Sequence, residues 1–184
     1  MPDEFPRSDP AAAPEAPQQS APSRKGMLVV YHGDGTGKEV SARGVLFRAH
    51  GRGLPVRFLC FAAGTTNSPS GDSLALDRLG IPANFDGCEG PGDAADLWGE
   101  ALRHLENTKE GVLVLESLLD VVENGWLSVA EVVSGLANKC PLLHVIVTGQ
   151  TAPPELVTVA DLVTEMRTIK KRPDGAPLVA GIDY

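Results

Sequence analysis

The sequence has few cysteines, no long apolar run and no excess of basic charge, and each shortage removes a class of protein. The three cysteines, Cys60, Cys88 and Cys140, form no CxxC pair, and an odd count makes a poor disulfide framework. Cys60 and Cys140 read as small core or flanking residues, in keeping with a reducing cytoplasm. No apolar stretch approaches the length of a membrane span, so no membrane association is expected. The N-terminus lacks the basic-then-apolar pattern of a signal peptide. Formal net charge is -8, which argues against a broad nucleic-acid footprint. No internal repeat is visible.

What is present fits one ordinary domain with a tail. The chain has 184 residues, 42% of them hydrophobic, enough for a core of normal size. Residues 1–25 interleave Pro2, Pro6, Pro10, Pro14, Pro17 and Pro22 with Ala, Ser and Gln. Proline blocks regular helix, and the segment has almost no large apolar side chains to bury, so the tail is expected to be disordered. The domain is expected over residues 26–184.

Within it, short apolar runs alternate with amphipathic segments. Residues 27–31, 56–61, 112–115, 145–148 and 162–166 read as buried strands, with a weak strand near 81–85. Residues 38–50, 94–107 and 129–138 read as helices, and Pro154 opens a short one. Residues 62–93 are rich in Gly, Ser, Pro and Asp and read mostly as loop. Asp93 and Asp96 are expected to cap or charge the start of their helix. The alternation predicts an α/β fold: a mostly parallel sheet flanked by helices in a three-layer, P-loop NTPase-like (RecA-like) architecture. Ligands in such sheets bind at the carboxyl ends of the strands, so residues just after Tyr31, Phe61, Leu115 and Thr148 should meet at one site.

The clearest chemical signal is His32-Gly33-Asp34-Gly35-Thr36-Gly37-Lys38, which follows a strand and opens a helix. Glycines let backbone N–H groups curl around an anion, the helix start adds partial positive charge, and Lys38 adds a full one. Gly33, Asp34, Gly35, Thr36, Gly37 and Lys38 are therefore the candidate phosphate-binding residues. The general P-loop pattern has Gly where His32 stands and Ser or Thr where Glu39 stands. That hydroxyl normally ligates Mg²⁺.

The loop, the third strand and the C-terminal part together resemble the P-loop ATP:corrinoid adenosyltransferases, from about Gly26 to Tyr184. The most specific stretch is Val147-Thr148-Gly149-Gln150-Thr151-Ala152-Pro153-Pro154-Glu155-Leu156, followed by Ala160-Asp161-Leu162-Val163-Thr164-Glu165-Met166-Arg167. Ile169-Lys170, Gly181-Ile182-Asp183-Tyr184, Gly125-Trp126-Leu127 and Glu131-Val132 also match. The resemblance implies transfer of the 5′-deoxyadenosyl group of ATP to Co(I) of a corrinoid substrate, with release of triphosphate. It implies Mg²⁺ as a cofactor, with Glu39 and Glu116 as the candidate ligands. Thr148, Gly149, Gln150, Glu165 and Arg167 are further positions carried by the motif. No catalytic residue is assigned, because the cobalt itself is the nucleophile. A homodimer is a candidate assembly.

The departures from the family pattern cluster at the chemistry. A Gly-Lys-Thr-Thr continuation reads Gly37-Lys38-Glu39-Val40, and an Asp-Glu strand end reads Glu116-Ser117. A Phe-Lys-Gly after the second strand reads Phe61-Ala62-Ala63-Gly64, and Thr-Gly-Arg reads Thr148-Gly149-Gln150. A Gly-Phe-Thr-Trp loop has no counterpart between Ile81 and Trp98. Two expectations follow: a divergent adenosyltransferase, or a catalytically degenerate relative that binds nucleotide or corrinoid as a carrier, sensor or partner subunit.

Overall fold

A computed structural model of the chain describes residues 25–62, 70–173 and 175–182. The expectations for residues 1–24, for Ala63 and Gly64, and for Asp183 and Tyr184 lie outside the described residues.

Six strands form one sheet: β1 (Leu28–His32), β2 (Val56–Cys60), β3 (Ala83–Asn84), β4 (Glu110–Glu116), β5 (Leu142–Gly149) and β6 (Leu162–Glu165). Their order is β3-β2-β4-β5-β1-β6, and every pairing is parallel. Parallel neighbours require crossovers, and helices supply them. These are α1 (Lys38–Gly51), α2 (Gly71–Arg78), α3 (Pro91–Asn107), α4 (Leu118–Glu123), α5 (Val129–Ala137) and α6 (Pro154–Val159). The expected α/β, P-loop NTPase-like architecture is what the chain adopts.

The period-2 alternation of the strands divides the core in two. Val29, Phe58, Cys60, Val112, Val114 and Ile146 pack against Ala42, Leu46 and Ala49 of α1 and Leu76 of α2. Leu28, Val30, Leu59, Leu113, Leu115, Val145 and Val147 face the other way, toward Trp98 and Leu105 of α3, Leu118 and Val121 of α4, Leu136 of α5 and Leu156 of α6. Each face buries its own apolar set, so the strands read as continuous apolar runs.

Two helices were not legible as such. Residues 71–78, expected as loop, form α2: Ser70 caps it by accepting from Ser73 N–H at 3.1 Å, and only Leu76 is buried. One buried residue in eight leaves almost no amphipathic signal. α4 is a six-residue turn of helix placed directly after β4, with Leu118, Leu119, Val121 and Val122 all buried, too short for Asp120 and Glu123 to establish a helical period. α3 begins at Pro91, earlier than residue 94, with proline in its first turn. Asp93 accepts from Glu89 N–H at 2.9 Å just ahead of that turn. The weak strand near 81–85 shrinks to Ala83–Asn84.

Candidate functional site

β1 leads straight into the glycine-rich turn. β1 lies between β5 and β6, with His32 opposite Gly149 on one side and Glu165 on the other. The chain leaving β6 presses on the turn. Met166 N–H donates to His32 O at 2.7 Å, Gly35 N–H donates to Met166 O at 2.9 Å, and Gly33 N–H donates to Gln150 O at 2.8 Å. A Cβ on Gly33 would lie 2.2 Å from Met166 O, and one on Gly35 would lie 2.7 Å from Met166 C. These two glycines are therefore required by the close approach of the β6 exit. Gly37 has φ 106° at the N-cap of α1, a left-handed conformation that favours glycine.

Lys38 opens α1 and is buried. Its amine donates to Gly35 O at 3.3 Å and stands 3.3 Å from Glu39 Oε1, so it lies back across the turn. Asp34 and Thr36 are exposed at the rim. The six candidate phosphate-binding residues are thus contiguous, with the backbone turn beneath and the Lys38 charge over it.

Glu116 ends β4 opposite Cys60 of β2. The series Val112, Val114, Glu116 points to the α1 face, which places a carboxylate 3% exposed in otherwise apolar surroundings. Arg43 of α1 reaches it: Nη2 donates to Glu116 Oε1, and Nη1 donates to Asp72 in the first turn of α2. The guanidinium carbon lies 5.9 Å from the centre of the Phe58 ring, within cation–π range. Burial works against the Arg43 charge, and Glu116 and Asp72 more than offset it. Burial pushes the Glu116 carboxyl above its ordinary range; Arg43 pulls it back, and nearby Glu39 adds to the rise. Burial and Glu116 together push the Cys60 thiol up to about 12, which leaves it inert as a nucleophile.

The Thr148-Gly149-Gln150 motif locks β5 onto α4. Ser117, φ 57°, is the only non-glycine residue with positive φ among the described residues, and its N–H donates to Thr148 Oγ1 at 2.9 Å. Gly149 admits no side chain, since a Cβ there would lie 2.4 Å from Leu119 Cβ. Gln150 N–H donates to Asp120 Oδ1 at 2.8 Å. Glu165 and Arg167 form a 3.6 Å ion pair, both more than half exposed. Asp161, from the same motif, lies at the far end of the sheet and accepts from Leu28 N–H at 2.8 Å.

The strand ends therefore bring together the P-loop, Glu39, Glu116, Thr148 and Gly149. Arg43, Asp72 and Asp120 belong with them and were missed. Arg43 alone had a legible signal: it is a cation three residues before Leu46, beside the apolar stripe that α1 turns to the sheet.

The chain is similar to known proteins along most of its length. The sequence profile of the family described as ATP:corrinoid adenosyltransferase BtuR/CobO/CobP matches residues 24–184. A corrinoid adenosyltransferase of Escherichia coli K12 is 30% identical over 175 residues, covering 89% of this chain and 88% of that protein. Corrinoid adenosyltransferase CobA of Salmonella typhimurium shows the same figures. A corrinoid adenosyltransferase of Pseudomonas aeruginosa is 28% identical over 160 residues, covering 82% and 79%. With a profile match that spans the whole described domain and relatives 30% identical over most of both chains, the chain belongs to the ATP:corrinoid adenosyltransferase family.

Proposed function

We propose that this chain moves the 5′-deoxyadenosyl group of ATP to the cobalt of a reduced corrinoid. In that step the Co(I) electron pair attacks C5′ of ATP and a cobalt–carbon bond forms. The C5′–O bond breaks, and triphosphate leaves with the bonding pair. Cobalt is part of the substrate, so the protein has to hold the triphosphate and aim C5′. The P-loop and Lys38 suit the holding of triphosphate, because a helix start and an ammonium act on the same anion. The single observation that carries the reading is Lys38, buried at the head of α1 with its amine over the turn, inside a family match of 161 residues (24–184).

The experiment is anaerobic incubation of the purified protein with ATP and a Co(I) corrinoid. The expected result is the visible spectrum of a cobalt–carbon product. A Co(I) spectrum that persists beside intact ATP binding by calorimetry would favour the second reading, a relative that binds nucleotide or corrinoid without turnover. Glu39 is the observation behind that alternative, since it puts a carboxylate against Lys38 where a P-loop hydroxyl would stand. Absence of turnover, of ATP binding and of corrinoid binding would remove both readings. The three cysteines are free, which suits a reducing cytoplasm as the place of action. A homodimer is the assembly to test by light scattering.

A further inference from the structure

Glu39 and Glu116 are the two carboxylates that the sequence offers to Mg²⁺, and each already has a cation. Glu39 faces the Lys38 amine, and Glu116 is held by Arg43. Among the described residues, no cluster of three or more His, Cys, Asp or Glu side chains could hold a metal ion. Mg²⁺ demands near-octahedral oxygen ligation at about 2.0–2.1 Å. Glu116 Oε1 already accepts from the Arg43 guanidinium. As arranged, the donor set does not fit the metal.

We propose that Arg43 takes the place of a divalent cation at this end of the site, neutralising Glu116 and Asp72 from within α1, so that no metal is held there. The guanidinium bridges carboxylates from two separate elements, β4 and α2, as a metal would bridge its ligands. It does so end-on to each. Arg43 Nε and Glu116 Oε2 are both buried without a hydrogen-bond partner among the described residues, so the bidentate fork that Arg–carboxylate pairs favour is given up for the bridge. The Phe58 ring lies beside it, its centre 5.9 Å from the guanidinium carbon. A neutral side chain at position 43 would leave Glu116 buried and uncompensated, close to Asp72 and Glu39, so that a proton or a metal cation would have to neutralise it. The inference rests on the nucleotide reading only for what the counter-charge serves; the cation requirement can be read without nucleotide.

The test is a Mn²⁺ titration of the full chain, followed by the electron paramagnetic resonance of free Mn²⁺ and by Tm. The unmodified protein should take up no more Mn²⁺ than Glu116→Gln does, and its Tm should not move. Arg43→Met should gain a Mn²⁺ site, with Tm rising roughly 5–10 °C at about a hundred times Kd. Adding Glu116→Gln to Arg43→Met should abolish that gain. Arg43→Lys, which keeps the charge, should respond like the unmodified chain. Uptake by the unmodified protein that Glu116→Gln removes would overturn the proposal, as would a folded Arg43→Met protein indifferent to Mn²⁺. If Arg43→Met fails to fold, comparison of the unmodified chain with Glu116→Gln still decides. Failure to bind ATP would overturn the nucleotide reading and leave this result standing.

Discussion

The two halves of the site are built differently. The backbone half consists of Gly33, Gly35, Gly37, Thr148 and Gly149, and each is fixed by a close approach, a positive φ or a buried N–H that needs an acceptor. The charged half consists of Lys38, Glu39, Arg43, Asp72 and Glu116, joined by ion pairs. In the sequence reading, the expected motif positions at the glycines and Thr148 fall on the backbone half, and the expected departures at Glu39 and Glu116 fall on the charged half. The contrast is physical. A glycine pressed against a carbonyl has no substitute, whereas a charge can be balanced by any nearby opposite charge.

The largest effect should come from breaking the backbone half. Gly33→Ala places a methyl 2.2 Å from Met166 O at φ 115°. It should cost roughly 2–4 kcal/mol in chemical denaturation, through left-handed strain plus the shift of β6. Gly53→Ala is the control, with φ 75° and nothing within 4 Å of the added methyl. It should cost only about 1–2 kcal/mol, from the conformation alone. Equal costs would show that the Met166 contact is not what fixes Gly33.

Thr148→Val comes next. It keeps the shape and removes the acceptor for Ser117 N–H, leaving a buried donor in a strained turn, at a cost of about 1–3 kcal/mol. Thr148→Ser keeps the hydroxyl and should recover most of the loss. Equal destabilisation by both would mean that packing, not the hydrogen bond, holds the turn.

How far the sequence reveals each half follows from the same distinction. The sheet was legible because its strands are apolar on both faces, and the glycine-rich strand-to-helix turn was legible because its glycine spacing is set by local backbone geometry. The lock of Thr148 onto Ser117 was not, because it joins residues 31 positions apart. Arg43 was missed for a related reason. Its partners Asp72 and Glu116 come from α2 and β4, and no short-range pattern says that α1 will lie over both. Glu116 could be read as a site residue but not as an ion-pair partner, since which cation reaches it is a tertiary fact.

A smaller effect sharpens the comparison from outside the site. Arg57 and Glu100 form a structural pair, with Asn84 also donating to the Glu100 carboxylate at 3.2 Å. Burial raises this carboxyl, but the Arg57 and Asn84 hydrogen bonds win and hold it below its ordinary value of 4.5. Its folded-state value is depressed, so the pair's contribution is present above pH 4.5 and lost as the pH falls through the lowered value. Glu100→Gln should therefore lower Tm at pH 7, and the difference from the unmodified protein should close in acid. A pH-independent difference would mean that Glu100 acts by packing. Smallest of all, Glu165→Ala removes only an exposed pair and should shift stability by about 1 kcal/mol or less.

The division of labour is tested most directly by the ATP affinity of Lys38→Ala and Glu116→Gln beside the unmodified protein, measured by calorimetry in magnesium buffer. We expect a loss of about tenfold or more for Lys38→Ala, since a charge-assisted phosphate contact is worth roughly 1.5–3 kcal/mol. For Glu116→Gln, whose charge serves Arg43 rather than a metal on the nucleotide, the expected loss is less than about threefold. An equal or larger loss in Glu116→Gln would contradict this division and make Glu116 a ligand of the metal–nucleotide complex.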